Sequence, residues 1–471
     1  MDLKLYLGSA TTTLLMRVGL VVLDTLRLGT FRDEMAQISE YADHRFSNFY
    51  SSSRWTVPAH ASLFTGLYPT EVGSHAGNRH YTSNSETLAE RFDADDYETV
   101  ALSNNVHIDS FFGFDRGFET LHRGPNLEGR PDEETGEFDW DELFSTIGDG
   151  PFRYLRALRR IVSSDAPTVP TLRTGLEFLR SGTAMDHTGG IDWAHDAAEN
   201  HLTDPPEDLF FFANLMPVHF PYEPPEEYSP VEPLDEQPFH LSLRDEPVTD
   251  EEHRRHWENY TGAARYLDDE LPKLIDGVDW DCLFIISDHG ELFGEHDGLR
   301  GHEYGIHEEL VHVPAVALGS EVPEGTTDEL TSILDVHRTL LEIAGIDVPE
   351  HARGYNLFED EIPDDRAVYA ESTGVGQYSP DAKGVLANIP AEWDQEHYML
   401  RTDDAMLIVD GDGTRVIDPE SGDERPERED ELLDRVERIR ADRRDFSGES
   451  TDDDEDVPED IQDRLEHLGY K

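Results

Sequence analysis

Two kinds of apolar pattern alternate along the first three quarters of this chain. Short continuous runs at 18–23, 99–103, 209–215, 282–286 and 313–318 are built mainly of Val, Ile, Leu, Phe and Ala, the composition of strands covered on both faces. Between them lie stretches of helical period. Residues 260–275 carry apolar side chains at Ala263, Leu267, Leu271 and Leu274, one face of a helix leading into the run at 282–286. Residues 334–344 form a second such stretch, with Gly345 placed to end it and Pro349 beyond. This alternation from 17 to about 345 predicts a doubly wound α/β fold. Residues 121–205 show no clear strand. They hold helical patches at 152–162 and 171–179 among Gly, Pro and acidic residues, which predicts a mostly helical insertion over the sheet.

The pattern changes after 365. Residues 367–370, 398–401 and 405–409 are short or alternating runs, and Asp-Gly-Asp-Gly at 410–413 is a hairpin turn. They predict a small antiparallel sheet. Residues 427–444 read as a charge-laced helix with i,i+4 acid–base pairs. The expected organisation is therefore a large α/β domain over 1–365, an α+β subdomain over 366–446, and an acidic linker with a short docking helix (457–468) over 447–471. No internal repeat is visible.

Charge adds information about the surroundings. The 471 residues carry a formal net charge of −65, and a basic footprint for nucleic acid is missing. Twenty-two Phe, 17 Tyr and 6 Trp exclude an acidic disordered chain. Only four of the 38 basic residues are lysines (Lys4, Lys273, Lys383 and Lys471). A carboxylate-rich surface nearly free of Lys is the expected adaptation to a high-salt cytoplasm, where screening within a few Å removes self-repulsion. The single cysteine, Cys282, sits in an apolar run and allows no intramolecular disulfide. No apolar run reaches the ~18 residues of a membrane span. The stretch at 14–23 is broken by Arg17, runs straight into Asp24 and offers no Ala-x-Ala cleavage site. A cytoplasmic protein without a membrane anchor is expected. Residues 1–15 fit poorly ahead of a first strand, and Met16 is the alternative start.

Three distant stretches converge on one chemistry. Val-Val-Leu-Asp-Thr-Leu-Arg at 21–27 and Ser-Asp-His-Gly-Glu at 287–291 place metal ligands at the ends of buried runs. Trp-Thr-Val-Pro-Ala-His at 55–60 places a hydroxyl at a helix start, with Pro58 just inside. Ligands of open α/β sheets bind outside the carboxyl ends of the strands. Asp24, Thr56, Asp288 and His289 are thus expected around one divalent ion, with Mn²⁺ or Zn²⁺ favoured and Ca²⁺ or Mg²⁺ possible. A bound cation would turn Thr56 into a nucleophile. His219, following the run at 209–215, and His302 are candidates for holding the substrate's anionic oxygens or protonating its leaving group. His60 is a further candidate beside Thr56. Asn105 and Arg116 are expected to organise loops.

These motifs resemble the sulfatase branch of the alkaline phosphatase superfamily. The resemblance lies in Leu23–Arg27, in Thr56-x-Pro58-x-His60 running on to Pro69, and in Ser287–Glu291 followed by Phe293-Gly294-Glu295-His296. It continues in Asn214 to Tyr222 around His219, in Gly301-His302, in His312-Val313-Pro314, and in the ending at 464–470. It implies an alkaline-phosphatase-like three-layer α/β/α sandwich with a mostly parallel central sheet, and cleavage of sulfate or phosphate esters. Two departures matter most. Sulfatases carry Cys or Ser, converted to formylglycine, where this chain has Thr56, and Arg where it has His60. A threonine's β-carbon bears a methyl and cannot become an aldehyde, so the formylglycine route is closed. Thr at this place resembles the phosphodiesterase and phosphoglycerol-transferase branches. Where sulfatases pair two acids, Thr25 follows Asp24, and where they have Lys, His302 stands. No Asp/His/His set for a second zinc is apparent.

The reading is a metal-dependent ester hydrolase acting through a covalent Thr56 intermediate, on a small-molecule or glycan sulfate or phosphate ester. The alternative is a transferase passing the same group to a glycan or other alcohol; a non-catalytic binding protein ranks last. The composition makes one test immediate. Screening shortens from ~10 Å at 0.1 M salt to ~3 Å at 1 M. Thermal melts in dilute and multimolar KCl are expected to differ strongly, with folding lost below roughly molar salt; coincident melts would refute the high-salt adaptation.

Overall fold

The computed structural model describes residues 16–124, 191–234, 236–244, 246–375, 393, 395–411 and 413–448. The helical patches expected at 152–162 and 171–179, the acidic linker from 449 on and the helix expected at 457–468 lie outside the described residues. In chain order the strands are β1 (Arg17–Leu23), β2 (His44–Tyr50), β3 (Glu98–Ser103), β4 (Thr120–Arg123), β5 (Leu209–Leu215), β6 (Cys282–Ile286), β7 (Leu292–Phe293), β8 (Arg300–Gly301), β9 (Ala315–Leu318) and β10 (Gly325–Ser332). The strands β11 (Val368–Thr373), β12 (Glu396–Thr402), β13 (Ala405–Asp410) and β14 (Gly413–Ile417) follow.

Among the described residues, eight strands form one sheet in the order β10-β2-β9-β6-β1-β5-β3-β4. All its pairings are parallel except those of β9, which runs against both β2 and β6. Each central strand sends alternate side chains into two separate cores. Val18, Leu20, Val22, Phe210, Phe212, Cys282, Phe284 and Ile286 meet the helices Thr56–Thr65, Leu88–Ala94 and Ile333–Ile343 on one face. Val21, Leu23, Leu209, Phe211, Leu283 and Ile285 meet the helices Leu28–Glu34, Ile191–Leu202 and Asp250–Ile275 on the other. The expected three-layer sandwich is the one found, and burial on both faces explains why these strands read as unbroken apolar runs. No helix among the described residues is long and apolar enough to cross a membrane.

The differences from expectation have local causes. The strand β10 (Gly-Thr-Thr-Asp-Glu-Leu-Thr-Ser) lies at a sheet edge and is largely exposed over its first five residues, so it carries almost no apolar signal. The strand β4 closes the opposite edge with partly exposed side chains, and contradicts the expectation that 121–205 begins without a strand. The run at 313–318 becomes strand only from Ala315, after Pro314, which lacks an N–H for the ladder. The helix expected from 260 begins ten residues earlier at Asp250, where Thr249 and Glu252 form a capping box.

The second sheet is antiparallel, in the order β11-β12-β13-β14, and Asp410 pairs with Gly413 across the expected hairpin. The helix Glu429–Ala441 inserts Leu432 and Val436 into a core shared with Leu400, Leu407 and Val416. Contacts to buried carboxylates tie this part to the large sheet: Arg366 meets Asp335 at 2.6 Å, and Glu71, gripped by Arg353 at 2.7 Å, accepts from the Arg444 N–H at 3.0 Å.

Phe284 lies in the middle of β6, fully buried, and stacks against Phe46 and Phe358. Phe284→Ala is expected to cost about 3–5 kcal/mol, measured by urea unfolding in molar KCl. A loss below about 1 kcal/mol would mean this face repacks freely.

Candidate active site

The sheet register brings the first two ligand candidates together. Val22 of β1 pairs with Ile286 of β6, so Asp24 and Asp288 each stand two residues past a paired position. On the other side of β1, Leu23 pairs with Leu215 of β5, and His219 follows four residues later from the same edge. Thr25 fastens the corner. Its φ of +70° is strained for a β-branched residue. That turn lets its N–H donate to Asp288 Oδ1 at 3.2 Å and its hydroxyl to Asp24 Oδ1 at 2.9 Å. The Tyr260 hydroxyl anchors it from below through the Thr25 carbonyl.

The third component is the helix Thr56–Thr65, all ten residues of which are buried. It ends at Gly66, whose φ of +67° and close approach to His337 leave no room for a side chain. Its N-terminus aims the positive end of the helix dipole at the carboxylates. Thr56 Oγ1 lies 3.3 Å from His289 Nε2. That imidazole nitrogen is 3.6 Å from Asp24 Oδ1 and 3.5 Å from Asp288 Oδ2. His289 donates its Nδ1–H to the Gly290 carbonyl at 2.9 Å, so the Nε2 lone pair faces the carboxylates.

Asp24, Asp288 and His289 offer ligand atoms within 4.8 Å of one another, and the donor set fits a divalent cation. Asp288 Oδ2 is buried and has no hydrogen-bond partner among the described residues. The charges agree. Burial pushes Asp24 up, but the fields of His219, His289 and His60 and the Asn214 hydrogen bond outweigh it and lower its carboxyl to about 2. Burial and the neighbouring Asp24 charge hold the Asp288 carboxyl well above the usual range. Two buried carboxylates side by side resist double ionisation until a cation sits between them.

Histidines surround this centre. His302 packs its ring 4.5 Å from that of His289 and 5.5 Å from that of His219. Its Nδ1 is held by Glu291 at 3.2 Å, and Glu291 accepts from the Tyr222 hydroxyl at 2.8 Å. His302 Nε2 is buried with no hydrogen-bond partner among the described residues. Burial lowers His302 to about 3 and raises Glu291 to about 7. His219 donates Nδ1–H to the Phe220 carbonyl at 2.6 Å. His60 is fully buried with both nitrogens engaged: Nδ1 with the Thr56 carbonyl at 3.0 Å, and Nε2 with the Asn214 amide at 3.2 Å. All seven residues singled out from the sequence (Asp24, Thr56, His60, His219, Asp288, His289 and His302) thus meet in one place.

Sequence reasoning undervalued Asn105. Its Nδ2 donates to Asp24 Oδ2 at 2.8 Å, while its Oδ1 accepts from the His107 N–H. It organises a loop, as expected, and also holds the Asp24 carboxylate. Its position two residues beyond β3, at the ligand-bearing edge, was the available signal. Asn214 donates to the same oxygen at 3.2 Å. Arg116 is a loop organiser, bonded to Glu90 and to the Ser83 and Ser85 carbonyls.

Comparison with known proteins bears on this arrangement. The family model named Sulfatase matches residues 20–346, well over half of the chain. The chain belongs to the sulfatase family. A choline-sulfatase of Rhizobium meliloti (strain 1021) is 27% identical over 331 residues, 65% of this chain and 61% of that one. An uncharacterized sulfatase of Escherichia coli (strain K12) is 23% identical over 353 residues, 68% and 64% of the two chains. This sulfatase-family chain thus matches less than two thirds of the length of either relative. Among solved structures, a phosphonate monoester hydrolase from Silicibacter pomeroyi superposes with a TM-score of 0.61 at 16% identity, covering 91% of this chain and 96% of that one. That likeness is one of fold.

Asn105 provides a direct test of the proposed ligand set. Removing a group that orients a metal-binding carboxylate typically costs 10–100-fold in affinity. Asn105→Ala is expected to weaken Mn²⁺ binding by about that factor in calorimetric titrations; unchanged affinity would mean that Asp24 is not a ligand.

Proposed function

We propose that this sulfatase-family chain is a metal-dependent hydrolase of phosphate or sulfate esters working through a covalent intermediate on Thr56. The observation that carries the reading is the Thr56 hydroxyl, 3.3 Å from His289 Nε2 at the start of a buried helix that opens onto two carboxylates. The names of its relatives, a choline-sulfatase among the sequences and a phosphonate monoester hydrolase among the folds, support hydrolysis over transfer.

Asp24, Asp288 and His289, with Thr56 beside them, would hold the ion, Mn²⁺ or Zn²⁺ before Ca²⁺ or Mg²⁺ given one imidazole among the donors. Such an ion lowers the pKa of a neighbouring hydroxyl and offsets charge developing on the ester oxygens. The remaining work belongs to the chain's own groups. Thr56 Oγ gives its proton up to solvent water as it attacks phosphorus or sulfur. The new bond to Oγ forms as the bond to the ester oxygen breaks, and the electron pair leaves with that oxygen. His219 and His302, on the same edge, hold the anionic oxygens or protonate the leaving oxygen. Water then attacks the adduct, releases phosphate or sulfate and restores the hydroxyl. His60, with both nitrogens committed inside the protein, braces the first turn of the helix.

Threonine also bears on the substrate. Without a formylglycine the adduct is a simple ester of an alcohol, which a second displacement at phosphorus resolves readily. Phosphate esters are therefore the first choice within this class. The Lys-poor acidic surface supports the cytoplasm of a high-salt cell as the working compartment.

Thr56→Ala is expected to abolish turnover, and Thr56→Ser to keep part of it, since only the methyl that fixes the rotamer is lost. Mass spectrometry of peptides from wild-type protein quenched during turnover is expected to show a phosphoryl or sulfuryl adduct at Thr56. Undiminished turnover in Thr56→Ala would assign the attack to water and end the covalent reading.

A further inference from the structure

A cleft of about 690 Å³ opens between the β7–β8 hairpin, the short helix Glu308–Val311 and the strands β13 and β14. It lies beside the loop that carries Asp288, His289 and Gly290. The carbonyl of Glu309, on its wall, approaches Gly290 so closely that a side chain there would stand 2.0 Å from it.

Three features of the cleft point to one kind of ligand. First, His307 is 4% exposed and lines the cleft, and neither ring nitrogen has a hydrogen-bond partner among the described residues. Gly305 makes room for it, since a side chain there would stand 2.4 Å from His307 Nε2. The ring stacks on His296 at 3.8 Å, and His296 is bound to Glu309 at 2.8 Å. Burial, then the fields of His296 and Arg415, lower His307 to about 3. A neutral imidazole offers one donor and one acceptor, the complement of a hydroxyl. Second, the partly buried Trp393 lines the same wall, backed at 4.0 Å by the stacked, buried ring of Tyr304, an aromatic surface of the kind that takes the C–H face of a sugar ring. Third, six carboxylates line the cleft against one guanidinium, that of Arg415, which is paired with Asp410 at 3.0 Å. That balance repels a sulfated or phosphorylated group and suits hydroxyl or amino donors. A metal is not the match: among the described residues only Asp24, Asp288 and His289 close a ligand trio.

We propose that this cleft binds an uncharged or amino saccharide unit, with Trp393, backed by Tyr304, under the ring and His307 and Glu309 on its hydroxyls. The volume accommodates more than one sugar ring.

The test is binding, independent of turnover. The full chain, in multimolar KCl, is titrated with neutral, amino and sulfated oligosaccharides and followed by calorimetry. Neutral or amino oligosaccharides are expected to bind wild-type and Thr56→Ala protein alike, and to bind His307→Ala and Trp393→Ala at least tenfold more weakly. Trp393 is only partly buried, so its variant serves where His307→Ala fails to fold. No binding by the neutral and amino probes, or equal binding by both cleft variants, overturns the proposal. Binding without any ester turnover would leave the cleft standing and remove only the hydrolase reading.

Discussion

One electrostatic conflict organises the sheet edge: two carboxylates, Asp24 and Asp288, buried together with almost no access to water. Each alone would be costly to ionise in such surroundings, and the pair is worse. The surrounding structure answers with partial positive charge from every side. Asn105 and Asn214 donate to Asp24, the Thr25 and His289 N–H groups donate to Asp288, and the Thr56 helix adds its dipole. These donors hold the carboxylates in place but do not neutralise them. The strained φ of Thr25 persists because two hydrogen bonds and the Tyr260 anchor determine it.

The departures from the sulfatase pattern fall in this same space. Thr56, His60, Thr25 and His302 replace groups that the resemblance places there, and the structure connects them. His60 reaches Asp288 Oδ2 at 3.5 Å and braces the Thr56 carbonyl, and Asn214 bridges His60 to Asp24. His302, standing in for a lysine, depends on Glu291 and Tyr222 for its orientation, a support an ammonium would not require. The substitutions form one connected set around the Thr56 hydroxyl.

The surface follows a different logic. A chain of net charge −65 still buries its own ion pairs, and it does so with arginine. Arg353 grips Glu71 through two nitrogens, and Arg443 reaches Glu371 near the junction of the two sheets. The guanidinium fork satisfies both carboxylate oxygens and stays charged when buried, which lysine does less well. The same preference that thins lysine from the surface thus suits the ion pairs formed on buried carboxylates.

How much of this was written in the sequence follows from what local order can encode. The strands β1, β5 and β6 were legible because burial on both faces demands continuous apolar residues. The metal-ligand candidates Asp24, Asp288 and His289 were legible because they end such runs, and Thr56 because it opens a helix. The strands β2, β4 and β10 were not, since edge or half-exposed positions tolerate polar side chains and erase the period. Which groups touch was decided only in three dimensions. Asn105 reaches Asp24 across 81 positions, Tyr222 reaches Glu291 across 69, and Thr56 meets His289 across 233. The saccharide cleft joins a hairpin, a helix turn and a distant sheet that no periodicity links. Sequence by itself determined the layers and the chemistry available at their edge, because solvent exclusion and strand ends leave local patterns. Only the tertiary structure decided the partners, because parallel pairing sets register between segments far apart in the chain, and register places one carboxylate beside another.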